Sequence, residues 1–307
     1  MLVRCLLSVV VLTSALSGLA VAAVSETEAK KLKAELTPYG AERAGNKKGT
    51  IPQWRGGLLV SDIPEPYRAG MHHPDPFARD RPRFKITAQN MDQYADLLSD
   101  GLKGLLNTYP DTFVIPFYPT RRSASAYDTP ITSADGIVAD DVDIFNGAGD
   151  RYDWTFIGKQ EMIVPYNNTE LHSNHIRHED LLTVGHVNPK FTRFELHRVW
   201  VIEGSLKNGQ RHRYAKRRFY LDEDSWNIVL ADQFNDTGEL WRVSVSFLKN
   251  YYEVPVLWTA LDVYHDLKDR RYYVAFLDSE EDHSLQFSDV PPPDSYSKPA
   301  ALRRRMR

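Results

Sequence analysis

The chain has 307 residues, a formal net charge of −3 and a pI near 6.4; 42% of it is hydrophobic, 11% aromatic and 26% charged. That balance excludes a disordered chain, and the near-neutral charge excludes a basic field for nucleic acid. The length allows one large domain or two ordinary ones.

The first segment reads as a secretory signal. Arg4 supplies the positive n-region, Cys5 to Leu19 is an apolar run, and Ala20-Val21-Ala22 is a small-x-small site, so the cut falls before Ala23. The run is short for a bilayer span, which needs about 20 apolar residues. The single cysteine, Cys5, lies inside this signal. The mature chain is then expected to have no disulfide, zinc thiolate or cysteine nucleophile, and no lipoprotein anchor. No later run is long and apolar enough for a membrane-spanning helix.

Ser25-Glu26-Thr27-Glu28 reads as a capping box before a helix carrying Ala29, Leu32 and Leu36, ended by Pro38. Residues 39–84 are rich in Gly, Pro and charge and predict a long wrapping loop. Residues 87–109 return to helical spacing, with Thr87 as a possible cap. Gly101 and Gly104 weaken the middle, which predicts two short helices or a kinked one. Phe113 to Phe117 is a short extended run.

From about residue 152 the period becomes two. Trp154, Phe156 and Met162-Ile163-Val164 fit strands. Phe194 to Ile202 predicts a long strand with a slip in alternation that a bulge would explain. Tyr214–Leu221, Trp226–Phe234 and Trp241–Phe247 follow, separated by turns at 222–225 and 235–238. Residues 262–276 read as a last hairpin, although Leu257, Leu261 and Tyr264 also fit a helix. Strands joined by short turns predict an antiparallel meander.

Several stretches taken together are more specific than any one. They include Thr37-Pro38-Tyr39-Gly40-Ala41-Glu42-Arg43-Ala44-Gly45-Asn46, Gly70 to Ala78, Asp150-Arg151-Tyr152-Asp153-Trp154 and Val164-Pro165-Tyr166-Asn167-Asn168. Glu195-Leu196-His197-Arg198-Val199-Trp200, Asp222 to Trp226 and Gly238-Glu239-Leu240-Trp241-Arg242 complete the set. From about Val24 onward the chain resembles the exported bacterial family called domain of unknown function 1329. That resemblance implies a fold like the outer-membrane lipoprotein carriers LolA and LolB. Such a fold is mainly β (α+β): an open curved antiparallel sheet or incomplete barrel, with short helices packed on it and an apolar cavity for acyl chains. It also implies company, namely an outer-membrane protein and a resistance-nodulation-division type transporter. No catalytic residue is implied. The resemblance has one departure. A large block of strands expected after Tyr118-Pro119-Thr120-Arg121-Arg122 is missing, and the flanks meet at Ser123-Ala124-Ser125. This predicts an exposed junction loop over Arg121–Ala126 and a sheet with an uncovered edge and face.

Candidate sites follow from residue type. His172, His175 and His178 precede Glu179 and Asp180, and His72-His73 lies near Asp75. Either group suggests metal or acid–base chemistry, against plainer readings as a polar connection and a proline-fixed loop. Asp135, Asp140, Asp141 and Asp143 lack the calcium-loop pattern and read as exposed charge. Asn167-Asn168-Thr169 and Asn235-Asp236-Thr237 read as turns. No nucleophile elbow or phosphate loop is present. Trp200, Phe219, Trp226, Trp241 and Phe247 are the candidate lining of an apolar ligand face, against a plainer role as core.

The expected organisation is a signal peptide over 1–22, helices and a wrapping segment over 23–126, a β meander over 127–290 and a Pro- and Arg-rich tail over 291–307. The expected function is a non-enzymatic, periplasmic protein that handles lipid or another hydrophobic ligand without cofactor or metal and binds no nucleic acid. The alternatives are a periplasmic metal-dependent hydrolase, or a structural adaptor docking through its sheet edge or its termini, the Leu302–Arg307 tail among them.

Overall fold

Two kinds of residue alternate along the long strands and sort onto the two faces of one sheet. Directly paired residues share a face. One row across the sheet reads Val201, Tyr220, Leu230, Val245, Val263 and Val274. The neighbouring row, on the opposite face, reads Phe156, Ile202, Phe219, Ala231, Ser244, Tyr264 and Tyr273. The computed structural model describes residues 31–32, 34–38, 40–65, 67–68, 71–124, 141, 144–145, 147, 149–282, 284–285 and 287.

The strands are β1 (Phe84–Ile86), β2 (Ile115–Phe117), β3 (Tyr152–Pro165), β4 (Phe194–Leu206), β5 (Lys216–Asp222), β6 (Ile228–Phe234), β7 (Leu240–Tyr251), β8 (Val256–Asp266) and β9 (Arg271–Ala275). They form an open, nine-stranded sheet in the order β1-β2-β4-β5-β6-β7-β8-β9, with β3 paired to β4. The expected antiparallel meander is there from β4 to β9. One parallel link, Phe117 to Phe194, makes the whole sheet mixed. β8 begins at Val256, so the helical alternative for Leu257, Leu261 and Tyr264 is wrong.

The helical segment divides in two as expected, but at Leu98–Ser99 and not at its glycines, which both lie inside the second helix. A 3-10 helix spans Met91–Leu97 and α1 spans Asp100–Thr108. The cap is not Thr87. Ser99 accepts the Leu102 N–H at 3.1 Å. Leu102, Leu105 and Leu106 of α1 are fully buried in the main core with Val243, Val245 and Phe247. Gly101 is no weakness here: a Cβ at that position would collide with the Asp232 carboxylate and the Val243 side chain. The missing side chain is what lets α1 lie against β6 and β7.

Other expectations shift. Residues 31–38, so far as described, make turns and isolated bridges (Leu32 with Leu36, Leu36 with Glu42) rather than the end of a helix. The slip foreseen in β4 belongs to its partner: the register shifts between Phe156 and Gly158 of β3. The junction is a loop, but it is not exposed. Of its described residues, Arg122, Ser123 and Ala124 are buried and Arg121 is exposed. Ser123 and Ala124 are held under the 54–58 loop, because the Leu58 N–H donates to the Ser123 carbonyl and the Trp54 indole N–H to that of Ala124. The signal peptide, the capping box, Ser125-Ala126, Asp135, Asp140, Asp143 and the Arg-rich tail lie outside the described residues. Among the described residues, no helix is long and apolar enough to cross a membrane.

Candidate functional site

The five aromatic candidates do not share one surface. Phe247 belongs to the helix-covered core and packs edge-on against Phe194 at 5.9 Å. Trp241 sits apart, with its indole N–H on Asp266 (3.2 Å) and Arg213 and Arg242 against its ring. Phe219 is on the opposite face but buried beneath Phe145 and Trp154. Trp200 and Trp226 do come together, stacked with ring centres 6.5 Å apart.

A residue not singled out in the sequence completes the group. Phe156 of β3 packs on Trp200 at 5.8 Å, and the Lys159 ammonium lies 5.1 Å from the Trp200 ring. Phe156 is 62% exposed and Trp226 52% exposed, with Trp200 half-buried between them. The stripe sits at the β3 end of the sheet. Among the described residues β3 pairs only with β4, and its residues 153–157 are all exposed. Period-two alternation could have marked Phe156 as sharing a face with Trp154. It could not tell that this strand lies at an edge.

Trp226 also adopts φ +61°, in the left-handed region. A bulky side chain rarely stands there, and the conformation costs about 1–2 kcal/mol. The turn around it is pinned by the Asp222 carboxylate, which accepts the Ser225 N–H at 2.8 Å and hydroxyl at 2.6 Å.

The two histidine groups, read from sequence as separate, meet in part. His72 Nδ1 lies 2.8 Å from the His172 carbonyl, and the His73 and His172 rings are 6.1 Å apart. His175 and His178 stay away, on Ser173 and Glu280. Asp75 turns instead to the Phe77 N–H, at 2.8 Å. Around His73 and His172 are Lys249, whose Nζ is 2.7 Å from His73 Nδ1, Glu253 (2.8 Å from His73 Nε2), Asp278 (2.5 Å from His172 Nδ1) and the Ser284 hydroxyl on His172 Nε2. Burial pulls His172 down to about 4 and Lys249 down to about 7. Burial pushes Glu253 the other way, but the bonds from His73 and Tyr67 outweigh it and take the carboxyl down to about 2. Much of the group is buried: Lys249, His172 and Ser284 are 0%, 2% and 5% exposed, while the Asp278 side chain is 17% exposed. It ties the 67–75 loop and the segment after β9 to the end of β7.

A second buried network was missed. Glu195 accepts from Arg193 Nε (2.6 Å), His197 Nε2 (3.0 Å) and Asn167 Nδ2 (2.9 Å). Burial raises its pKa, but the bond from His197 and the charge of Arg193 prevail and hold it below the usual carboxylate range. Its trace was Arg193, Glu195 and His197 at spacing two. His197, Asp222 and Asp224 offer three possible metal ligands within 4.8 Å of one another. Arg122 already grips Asp224 through two bonds of 2.8 and 2.6 Å, and Tyr166 donates to Asp222 at 3.0 Å. The donors in place fit a charge network better than a cation. Asp141, expected to be exposed charge, is buried and pairs with Arg217 at 3.1 Å.

Comparison with known proteins gives the following. The family model described as protein of unknown function (DUF1329) matches residues 85–126 and 123–303. The two segments meet at the junction loop. An uncharacterized protein of Pseudomonas aeruginosa is 29% identical over 438 aligned residues, covering 94% of this chain and 96% of that one. The alignment is longer than this chain by more than a hundred positions, as an internal block absent here requires. Two crystal structures also match. One is a DUF1329 family protein from Desulfovibrio piger (15% identity, 50% of this chain and 48% of that chain, TM-score 0.31). The other, from Vibrio parahaemolyticus, is described as an outer membrane lipoprotein-sorting protein domain (10% identity, 52% of each chain, TM-score 0.31). The chain spans about half the length of each solved structure.

Proposed function

The chain belongs to the DUF1329 family, and from that premise we propose that it is a non-enzymatic, amphiphile-handling protein of the cell envelope whose working surface is the open face of its sheet. The observation that carries this reading is the exposed stripe of Phe156, Trp200 and Trp226. Large aromatics in water lose about 25 cal/mol for every Å² left uncovered, and Trp226 adds the cost of a left-handed backbone. A sequence that keeps both has a use for the ring where it stands.

The helix-covered face offers no such use, because Leu102, Leu105, Leu106 and Val243 fill it. An acyl chain laid along the stripe gains about 0.8 kcal/mol per buried methylene, so binding needs no enclosed cavity and no chemistry. In this reading the protein acts in the periplasm, passing a hydrophobic ligand between an outer-membrane partner and a transporter of the resistance-nodulation-division type. The burial of Lys249, His172 and Ser284 within the histidine group supports a non-enzymatic role.

The test is native mass spectrometry of lipids that co-purify with the protein, joined to tryptophan fluorescence with a brominated fatty acid. The expected result is recovered lipid and quenching that falls at least fivefold in Phe156→Ser. Repeated recovery of empty protein, with fluorescence indifferent to the quencher, defeats the reading.

A further inference from the structure

A cleft of about 490 Å³ opens beside the junction loop, walled by Arg55, Arg121, Arg122, Leu58, Leu59 and Phe77. That volume is in the range of small-ligand sites. Three guanidinium groups face a single lining carboxylate, Asp62, which is itself engaged with the Leu59 N–H at 3.1 Å.

The three arginines are not equivalent. Arg122 is buried and saturated by Asp224 and the carbonyl of Glu42. Arg121 is clamped by Asp80 through bonds of 3.1 and 2.7 Å, with nearly half its side chain in solvent. Arg55 is exposed and has no acidic partner among the described residues. The rim next to it is shaped by Gly56 and Gly57 at φ +113° and +83°, which only glycine adopts readily. That loop is fixed to the junction by the Leu58 N–H on the Ser123 carbonyl at 2.9 Å. The lining also includes apolar Leu58, Leu59 and Phe77, with Leu59 50% exposed.

The cleft is also joined to the aromatic stripe. Arg122 holds Asp224, two residues before Trp226 in the same turn. The Glu42 carboxylate takes Lys159 at 3.1 Å, and its carbonyl takes Arg122 at 2.7 Å. One short segment and one turn therefore connect the two surfaces.

We infer that this cleft is the head-group site for an anionic amphiphile, with Arg55 supplying the charge that selects a phosphate or carboxylate head and Leu58, Leu59 and Phe77 receiving the start of its chain. The inference rests on the amphiphile-handling reading and names its ligand class. Arg55 can make the paired N–H contacts that a planar or tetrahedral anion accepts, whereas Arg121 and Arg122 are already paired with Asp80 and Asp224 and add little net charge.

The experiment titrates the protein with decyl phosphate, decanol and inorganic phosphate by calorimetry, and repeats the first two with Arg55→Glu. Decyl phosphate is expected to bind at least tenfold tighter than decanol, inorganic phosphate to bind at least a hundredfold more weakly than decyl phosphate, and Arg55→Glu to bring decyl phosphate to the decanol level without moving Tm. Equal binding of decyl phosphate and decanol by the unsubstituted protein overturns the head-group site and leaves the amphiphile reading standing. Inorganic phosphate bound as tightly as decyl phosphate overturns it too, in favour of a free-anion site. Failure of both decyl ligands to bind sinks the broader reading and this one with it.

Discussion

The same strands make two unlike faces. Beneath α1, the sheet presents Val201, Leu230, Val245 and Val263, all at or below 2% exposure. On the other face, one residue along, stand Ile202, Phe219 and Ser244, and at the β3 edge Phe156 and the Trp200–Trp226 stack. The first face is filled by leucines from a helix brought close by glycine. Among the described residues the second has a small cluster around Ile144, Phe219, Ala231 and Tyr264. The contrast teaches that period two decides which residues share a face, while the element lying above decides what that face can do.

The contrast breaks most severely at Gly101. Gly101→Ala puts a methyl group into the Asp232 carboxylate and Val243, so α1 must lift from β6 and β7. Overpacking of this kind costs about 1–3 kcal/mol. The companion change Gly40→Ala, where nothing lies within 4 Å, bears only the strain of its φ of +86°. Urea titration of both should place Gly101→Ala lower by a kilocalorie or so, on the same scale. Equal midpoints would mean that α1 is not held tightly.

A second effect reads the electrostatics under the same helix. Asp232 accepts the Gly101 N–H at 3.0 Å and the Tyr220 hydroxyl at 2.8 Å, and burial pushes its carboxyl up to about 7. Between about 4 and 7 the folded chain keeps a proton that the unfolded chain has lost. Its contribution to stability is therefore steady below about 4, falls as pH rises to about 7, and is flat above. The difference in unfolding free energy between the unsubstituted protein and Asp232→Asn, followed from pH 4 to 8, should show that slope. A difference independent of pH would place the proton elsewhere.

The smallest effect belongs to the open face. Trp226→Asn should leave thermal stability unchanged or raise it by up to about 1 kcal/mol, because asparagine tolerates the left-handed backbone and little packing is lost from a half-exposed ring. It should also weaken amphiphile binding, for decyl phosphate and decanol alike. A loss of stability near that of a core truncation, about 2–5 kcal/mol, would make Trp226 a structural residue.

The meander from β4 to β9 was legible because turn residues at 222–225 and 235–238 punctuate clear alternation. β1 and β2 were not fully legible: three residues each carry no period, and their place depends on partners far along the chain. Of the candidate site, the Trp200–Trp226 pairing lay within reach, because both fall in one predicted sheet. Phe247 was misplaced for a simple reason: alternation gives two faces but does not say which one the helix covers. The network of Arg122, Asp224, Arg193 and Glu195 escaped because charged residues in loops, turns and strands read as solvated until burial is known.

The connections within the sheet are unequal in length. Hairpins from β4 to β9 close over a few residues, such as 235–239 between β6 and β7 and 267–270 between β8 and β9. β3 reaches β4 only across residues 166–193, and β2 touches it through one parallel pairing, Phe117 with Phe194. Closing long loops costs chain entropy before any contact repays it, so pairings between neighbours form first. On that entropy argument β3, which carries Phe156, is expected to join the sheet late, so a destabilising substitution at Phe156 should speed unfolding and leave the folding rate nearly unchanged.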